Sequence, residues 1–484
     1  MTTLKEDTAK GLFWGAINNG TTQVLNVVIG IFLARLLTPG DYGLVGVLAI
    51  FTAIAGNLQN SGFATAVINM KTPRSDDYNA VFWFNVMMSL LLYGILWFCA
   101  PLIARYFRQP ALVELSRFTF LAFVVGAFGI AHNAYLVKNM MNREIAIASV
   151  VGLVASGITG IVLALQGFRY WSLAWQQVIY IAVVNLCRYY FTFSKWHPSL
   201  HIDLRPIVPM LSFSMKILVT TIINSVSNNV LTFIFGRIFP IKTVGNFSQA
   251  YKWDTMASQF VSGTLNQIAQ PVLVKVSDDA DREERVFRKM TRFTAMMAFP
   301  IMLGLALVAK EFILVTISSK WIDSVPLLQI LCIGGAFLPF YALYQNLAIS
   351  HGRSDIYMWC NIFQIAIQVG IILLMGQLGI VAMVAAYTAF TVLWLVVWHM
   401  SCRRLSGFKF KNFVLDIVPF LLISLTVMAV TGFVTLGISN QLLLLIVRVI
   451  VAALLYCAIL KVLKVQIFEE CLQFAKAKLL KKGQ

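Results

Sequence analysis

Long apolar segments follow one another along the whole chain, with only short polar breaks between them. One of them, VFWFNVMMSLLLYGILWFCA, runs without interruption from residue 81 to residue 100. A helix of about 20 apolar residues crosses the hydrocarbon core of a bilayer, whereas a membrane β-barrel strand shows about ten residues with strict alternation. The chain is 59% hydrophobic and only 12% charged, whereas soluble domains are about 25% charged. These patterns predict an all-α polytopic membrane protein without a soluble domain.

The apolar segments predict about fourteen transmembrane helices. Six of them precede the first large break, the basic loop KWHPSLHIDLRP at 195–206, and eight follow it. The expected spans lie near residues 11–34, 42–68, 78–104, 112–137, 145–167, 171–193, 208–236, 243–274, 291–317, 325–350, 356–376, 380–400, 413–437 and 441–463.

The distribution of Lys and Arg indicates the orientation. Outside the spans they are concentrated in the loops on the side that carries both termini, so the positive-inside rule predicts that both termini are cytoplasmic. The net charge of +18 is then explained by orientation and by contact with anionic membrane lipids. Nucleic acid is not an expected partner, because the basic residues do not form one aromatic-studded surface.

Metal, disulfide and cofactor sites are not expected. The seven cysteines are scattered, and no CxxC pair occurs. His197 and His201 are four residues apart, but Pro198 lies between them and no third ligand is nearby. We interpret them as a polar loop pair. Coupling of the protein to a proton or sodium gradient is left open.

A short motif occurs twice in the chain, at a constant offset of 202 residues. ARLLTPGDYGLVG begins at residue 34 and aligns without a gap with GRIFPIKTVGNFS, which begins at residue 236. Each copy places a proline in the turn that ends a helix, which predicts a structural role in a helical hairpin. The motif residues are Arg35, Pro39, Asp41 and Gly43 in the first copy, and Arg237 and Gly245 in the second.

The repeat also predicts the domain organisation. Six predicted spans separate the two copies, and since six is even, both copies cross the membrane in the same direction. Parallel repeats are related by an axis along the membrane normal, with substrate sites near the midplane where the repeats meet. We therefore expect two pseudo-symmetric six-helix bundles, two extra helices and an amphipathic basic tail on the cytoplasmic membrane surface. Their expected ranges are 1–200, 201–402, 403–463 and 464–484.

Polar residues are concentrated in the first two spans of each predicted bundle. Lysine inside a span is costly, so Lys216 and Lys252 indicate a water-filled, net-basic cavity between the bundles, with Asp254 partly balancing Lys252. Two alternatives remain: interhelical hydrogen bonding by the polar faces, and snorkelling of the two lysines to the membrane surface. The predicted substrate-binding residues are Asn19, Gln23, Asn26, Lys216, Asn224, Asn228, Gln249, Lys252, Gln259 and Asn266.

Three stretches carry a resemblance to a known family: ARLLTPGDYG from residue 34, SGFATAVIN at 61–69, and the weaker copy FGRIFPIKTVGNFSQAYK from residue 235. With them the chain resembles the polysaccharide transporters of the MOP superfamily, the Wzx-like O-antigen and exopolysaccharide flippases. The resemblance implies flipping of an undecaprenyl-diphosphate-linked oligosaccharide across the bacterial inner membrane by alternating access. It also implies polysaccharide polymerases and glycosyltransferases as functional partners.

Other function classes fit the sequence less well. An ion-coupled multidrug antiporter of the same superfamily is the main alternative, but it needs acidic residues inside its halves, and the balance here is basic. A membrane glycosyltransferase or polymerase needs a large outer loop or clustered catalytic carboxylates. The acidic stretch SDDADREER at 277–285 lies on the predicted cytoplasmic side among arginines. We therefore expect a transporter and not an enzyme.

Overall fold

The described part of the chain consists of helices joined by short loops. The computed structural model describes residues 4–60, 62–211, 214–215 and 232–481, and no β-strand occurs in these ranges. The predicted all-α class is confirmed.

Most of the α-helices coincide with predicted spans in the described ranges. A further helical stretch covers residues 232–238. In chain order the helices are α1 (Leu4–Leu36), α2 (Pro39–Gly46), α3 (Ala49–Asn60), α4 (Phe63–Asn69), α5 (Ser75–Phe107), α6 (Leu112–Lys138), α7 (Asn142–Leu165), α8 (Tyr170–Thr192), α9 (Ile241–Val276), α10 (Ala280–Thr316), α11 (Ser324–Gly335), α12 (Leu338–Ser350), α13 (Ser354–Met375), α14 (Ile380–Ser406), α15 (Phe410–Val434), α16 (Gln441–Val462) and α17 (Gln466–Lys481).

Ten segments of the described chain are long and apolar enough to cross a membrane. Three further helices at predicted spans, α1, α8 and α9, have sufficient lengths of 33, 23 and 36 residues but a more polar composition. The predicted span at 208–236 falls largely outside the described residues. The protein is thus a multi-pass membrane protein with about fourteen membrane helices, as predicted.

Two predicted spans are broken into shorter helices. The span near 42–68 is divided among α2, α3 and α4, and Gly62 precedes α4 with a φ of 74°, a conformation that glycine adopts without a Cβ clash. The span near 325–350 is divided between α11 and α12, where Pro339 occupies the first turn of α12. Proline has no N–H to donate, and in the first turn of a helix this donor is not needed.

The chain divides into two compact units, residues 1–245 and 246–484. The division falls inside α9, so the first turn of that helix belongs to unit 1. The boundaries predicted from the repeat, after residues 200, 402 and 463, stay a prediction.

Unit 1 is held together by close contacts between α5, α6, α7 and α8. Gly129 of α6 faces Asn185 of α8 so closely that a Cβ at position 129 would lie 1.7 Å from the Asn185 Oδ1. The Nδ2 of Asn185 donates to the carbonyl oxygen of Val125 at 2.7 Å. Small residues and interhelical hydrogen bonds are how membrane helices associate, because lipid offers no hydrophobic driving force between them.

Unit 2 is arranged around α10, which packs against α11, α15 and α16. Asp416 of α15 accepts hydrogen bonds from Arg288 Nε at 2.8 Å and from Arg292 Nε at 2.5 Å. Arg448 of α16 forms an ion pair with Glu311 of α10 at 2.9 Å. Charged side chains inside a membrane protein require such partners. The two helices beyond the predicted repeat are therefore attached to α10 by ion pairs.

Candidate functional site

The predicted polar face of α1 is exposed in unit 1. Asn19, Gln23 and Asn26 are spaced by four and three residues, which places them on one side of the helix, and all three are exposed. The same helix packs against α7 in unit 1, and its apolar residues Ile29 and Leu33 are buried. Among the described contacts, no hydrogen bond fixes the three amide side chains.

The first half of α9 contains a cluster of buried polar side chains. Asn246, Gln249 and Asp254 are only 2%, 1% and 3% exposed, and Lys252 is half-buried, with its Nζ 5.8 Å from the centre of the Trp253 ring. The Nδ2 of Asn246 approaches Asp323 Oδ2 at 3.5 Å. We call residues Asn246, Gln249, Lys252 and Asp254 the α9 polar cluster.

Several atoms of the α9 polar cluster have no hydrogen-bond partner among the described residues. They are the Nε2 and Oε1 of Gln249, the Oδ1 of Asn246 and the Oδ1 of Asp254. A buried polar atom without a partner costs about 1–3 kcal/mol. Such atoms are normally bonded to water or to a ligand. The cluster therefore has donors and acceptors that can bind a polar ligand.

Asp254 and Lys252 point away from one another, since residues two apart do not face each other on a helix. The carboxylate of Asp254 lies against Gly335 of α11, where a Cβ would be 2.3 Å from its Oδ1. The ion pairs of the described residues do not include one between Asp254 and Lys252. The expected charge compensation therefore has no contact to support it.

The remaining residues of the predicted site are dispersed. Gln259 and Asn266 are exposed on the later part of α9, and the Oδ1 of Asn266 accepts from Asn346 Nδ2 at 3.0 Å. Lys216, Asn224 and Asn228 lie outside the described residues. Sequence reasoning missed Asn246, although its spacing of three residues from Gln249 was a usable signal.

The two copies of the repeated motif contact one another within unit 1. A Cβ on Gly43 would lie 2.1 Å from the carbonyl oxygen of Ile241, and a Cβ on Gly245 would lie 1.7 Å from that of Pro39. The first turns of α2 and α9 therefore cross at their glycines. Only glycine leaves room for two backbones at this distance.

Each copy also has contacts of its own. In the first, Asp41 Oδ2 accepts from Thr38 N at 2.9 Å and from Thr38 Oγ1 at 2.6 Å, which completes a capping box at the start of α2. In the second, the guanidinium of Arg237 lies 5.6 Å from the centre of the Tyr106 ring. Arg35 is exposed at the end of α1.

Comparison with known proteins adds to this geometry. Residues 32–326 match the family described as "Polysaccharide biosynthesis protein". The lipopolysaccharide biosynthesis protein WzxC of Escherichia coli (strain K12) is 24% identical over 426 residues, which cover 87% of this chain and 86% of WzxC. The succinoglycan biosynthesis transport protein ExoT of Rhizobium meliloti (strain 1021) is 23% identical over 409 residues, which cover 84% of this chain and 80% of ExoT.

Among solved structures, the lipid II flippase MurJ in an inward closed conformation matches with a TM-score of 0.71. The match covers 93% of this chain and 99% of MurJ at 13% identity, so it bears on the fold alone. The family match extends over more than half of the sequence and includes both copies of the motif. The chain belongs to the polysaccharide biosynthesis protein family, as its motifs predicted.

Proposed function

We propose that this protein is a flippase that moves an undecaprenyl-diphosphate-linked oligosaccharide across the bacterial inner membrane. Its family membership, a relative named as a transport protein and the fold shared with a lipid II flippase support this proposal. Both termini face the cytoplasm, glycosyltransferases supply the cargo, and a polymerase consumes it for O-antigen, capsule or exopolysaccharide assembly. The protein acts by alternating access and carries out no chemical step on the glycan.

The α9 polar cluster is the observation that carries the proposal. A glycan has many hydroxyl groups and needs amide partners such as Gln249, and a diphosphate needs a cation such as Lys252. Buried polar atoms without a partner reduce the stability of the folded protein. A bound ligand that supplies the missing hydrogen bonds offsets this loss. The prenyl tail remains in lipid, so it requires no polar site. The basic cavity expected from the sequence stays a prediction.

One observation favours an ion-coupled multidrug antiporter as the second candidate. Asp254 is 3% exposed and one of its oxygens has no partner among the described residues. A buried carboxylate of this kind inside a membrane protein is a candidate proton or cation site. In the flippase, protonation and deprotonation of the same carboxylate couple a proton gradient to the transport cycle.

A reconstitution assay tests the flippase directly. The purified protein is placed in liposomes that contain the lipid-linked oligosaccharide, and a membrane-impermeant oxidant reports which glycans have reached the outside. We expect protein-dependent exposure of the glycan and no accumulation of a cationic dye. Dye transport without glycan exposure would favour the antiporter.

Substitutions in α9 test the site. Losing one charge-assisted contact costs about 1.5–3 kcal/mol, so Lys252→Gln should lower glycan export about ten- to hundredfold at unchanged protein level. Gln249→Leu should lower export while keeping or raising stability, because it removes buried unpaired atoms. The matched control is Lys275→Gln, an exposed lysine on the same helix. Normal surface glycan from Lys252→Gln in a complementation assay would refute the site and leave the flippase proposal standing.

A further inference from the structure

Two cavities lie side by side in unit 2, where α17 meets α10. The apolar cavity has a volume of about 380 Å³ and is lined chiefly by Leu265, Ala269, Val272, Val286, Met290 and Phe293. The basic cavity has a volume of about 300 Å³ and is lined by Arg285, Arg288, Lys289 and Arg292 together with Gln466. Lys289, Ile467 and Glu470 line both cavities. An apolar space and a cationic space thus share one wall.

The basic cavity follows from the sequence of α10. Residues 285, 288, 289 and 292 are spaced by three, one and three positions, which places the four cations on one face of the helix. Residues 286, 290 and 293 are four and three positions apart, lie on the adjacent face and line the apolar cavity. The helix therefore presents a cationic stripe beside an apolar stripe.

Asp416 holds two of the arginines in position. It accepts from Arg288 Nε at 2.8 Å, from Arg288 Nη2 at 3.0 Å and from Arg292 Nε at 2.5 Å. The hydrogen bonds of the described residues do not use the Nη1 of Arg288 or either Nη of Arg292. Guanidinium groups fixed in this way bind phosphate oxygens well, because the remaining donors are already oriented.

The basic cavity has an excess of positive charge. Its four cations meet two carboxylates, Asp416 and Glu470, and the Nζ of Lys289 pairs with Glu470 Oε2 at 2.5 Å. The hydrogen bond from Lys289 lowers the pKa of the Glu470 carboxyl. Glu284, on the same helix, accepts instead from Asn412 Nδ2 at 3.1 Å. The excess charge favours an anion from outside the chain.

We propose that the two cavities form a binding site for an anionic phospholipid. The basic cavity takes the headgroup phosphate and the apolar cavity takes the upper part of an acyl chain. Basic pockets next to membrane helices on the cytoplasmic side are suited to anionic headgroups, and the volumes fall in the range of about 300–1,000 Å³ in which proteins hold small ligands. The bound lipid also attaches α17 to α10, since residues of both helices line each cavity.

The test uses the full-length protein in detergent, titrated with phosphatidylglycerol or with phosphatidylcholine of the same acyl chains, and native mass spectrometry to count bound lipids. The wild type should retain one phosphatidylglycerol at least tenfold more tightly than phosphatidylcholine. Arg285→Gln combined with Lys289→Gln should remove this preference, because it neutralises the headgroup site while leaving the Asp416 contacts intact. Lys461→Gln combined with Lys464→Gln is the control with an equal change in charge.

A second variant tests the apolar cavity separately. Cys471 lines it, so Cys471→Trp should fill it and weaken phosphatidylglycerol binding at least threefold. Cys457→Trp is the control at an exposed cysteine outside both cavities. If Cys471→Trp is not monodisperse by size-exclusion chromatography, Val286→Phe replaces it.

Three results would overturn the proposal. In the first, the wild type binds both lipids with equal affinity. In the second, the Arg285→Gln and Lys289→Gln variant binds phosphatidylglycerol as tightly as its control. In the third, millimolar inorganic phosphate displaces the lipid completely. The last result would assign the basic cavity to a free anion, because phosphate alone cannot occupy the apolar cavity.

Discussion

The two copies of the motif share one glycine position, Gly43 and Gly245, but begin their helices differently. Gly43 and Gly245 both meet a backbone carbonyl that leaves no room for a Cβ. At the helix start, the first copy uses the Thr38 and Asp41 capping box, whereas the aligned positions of the second copy hold Pro240 and Thr243. Apart from Arg35 and Arg237, the two copies are identical only at the glycine that the backbone crossing requires.

The helix starts differ because several residue types serve equally well there. A side chain can cap the helix, as Thr38 does. A residue without a capping side chain can also begin the helix, as Pro240 does when its carbonyl accepts from Thr243 N at 2.9 Å. A close crossing of two backbones has no alternative to glycine. A repeat can thus diverge at its caps while it keeps its crossing residues.

The largest effect is expected from alanine at the crossing. Gly245→Ala places a Cβ against the Pro39 carbonyl, and overpacking costs about 1–3 kcal/mol or more; a backbone carbonyl has less freedom to move aside than a side chain. Gly43→Ala should reduce stability in the same way. Thermal unfolding followed by size-exclusion chromatography should show a clear loss of stability for both.

Gly263→Ala is the matched control on the same helix. Nothing lies within 4 Å of a Cβ at this position, and alanine in a helix is favoured over glycine by about 0.5–1 kcal/mol. The control should be neutral or stabilising. If Gly245→Ala and Gly263→Ala unfold at the same temperature, the close crossing is wrong.

A smaller effect is expected at the caps. Asp41→Ala removes the acceptor for two hydrogen bonds of Thr38 and should cost about 1 kcal/mol. Thr243→Ala, at the aligned position, should cost less than half as much, because no described hydrogen bond involves its hydroxyl. Equal losses in the same unfolding assay would mean that the two helix starts are stabilised in the same way.

The smallest effect is expected for the arginine of the second copy. Arg237 is exposed, and its contact with the Tyr106 ring should contribute about 0.5–1 kcal/mol. A double-mutant cycle of Arg237→Gln and Tyr106→Leu measures this coupling and separates it from the stacking of Tyr106 on Phe233. Additive losses in the cycle would show that Arg237 does not depend on the ring.

Much of the membrane architecture was determined by the sequence alone. Apolar length predicted α5, α6 and α10 because a spanning helix satisfies its own backbone hydrogen bonds in lipid, which makes this property local. The polar spacings in α1 and α9 were equally local, and the motif at residue 34 was sufficient to indicate the family. Polarity could not show which of these side chains are buried.

The tertiary structure decided which faces meet. The burial of Gln249, the crossing of Gly43 with Ile241, and the ion pairs of Asp416 with α10 could not be read from hydropathy. Apolar helix faces are equivalent in lipid, so helix association depends on small residues and polar pairs that become neighbours only in the folded chain. The sequence therefore determines which segments leave water, and the packing of those segments decides which polar residues remain available for a ligand.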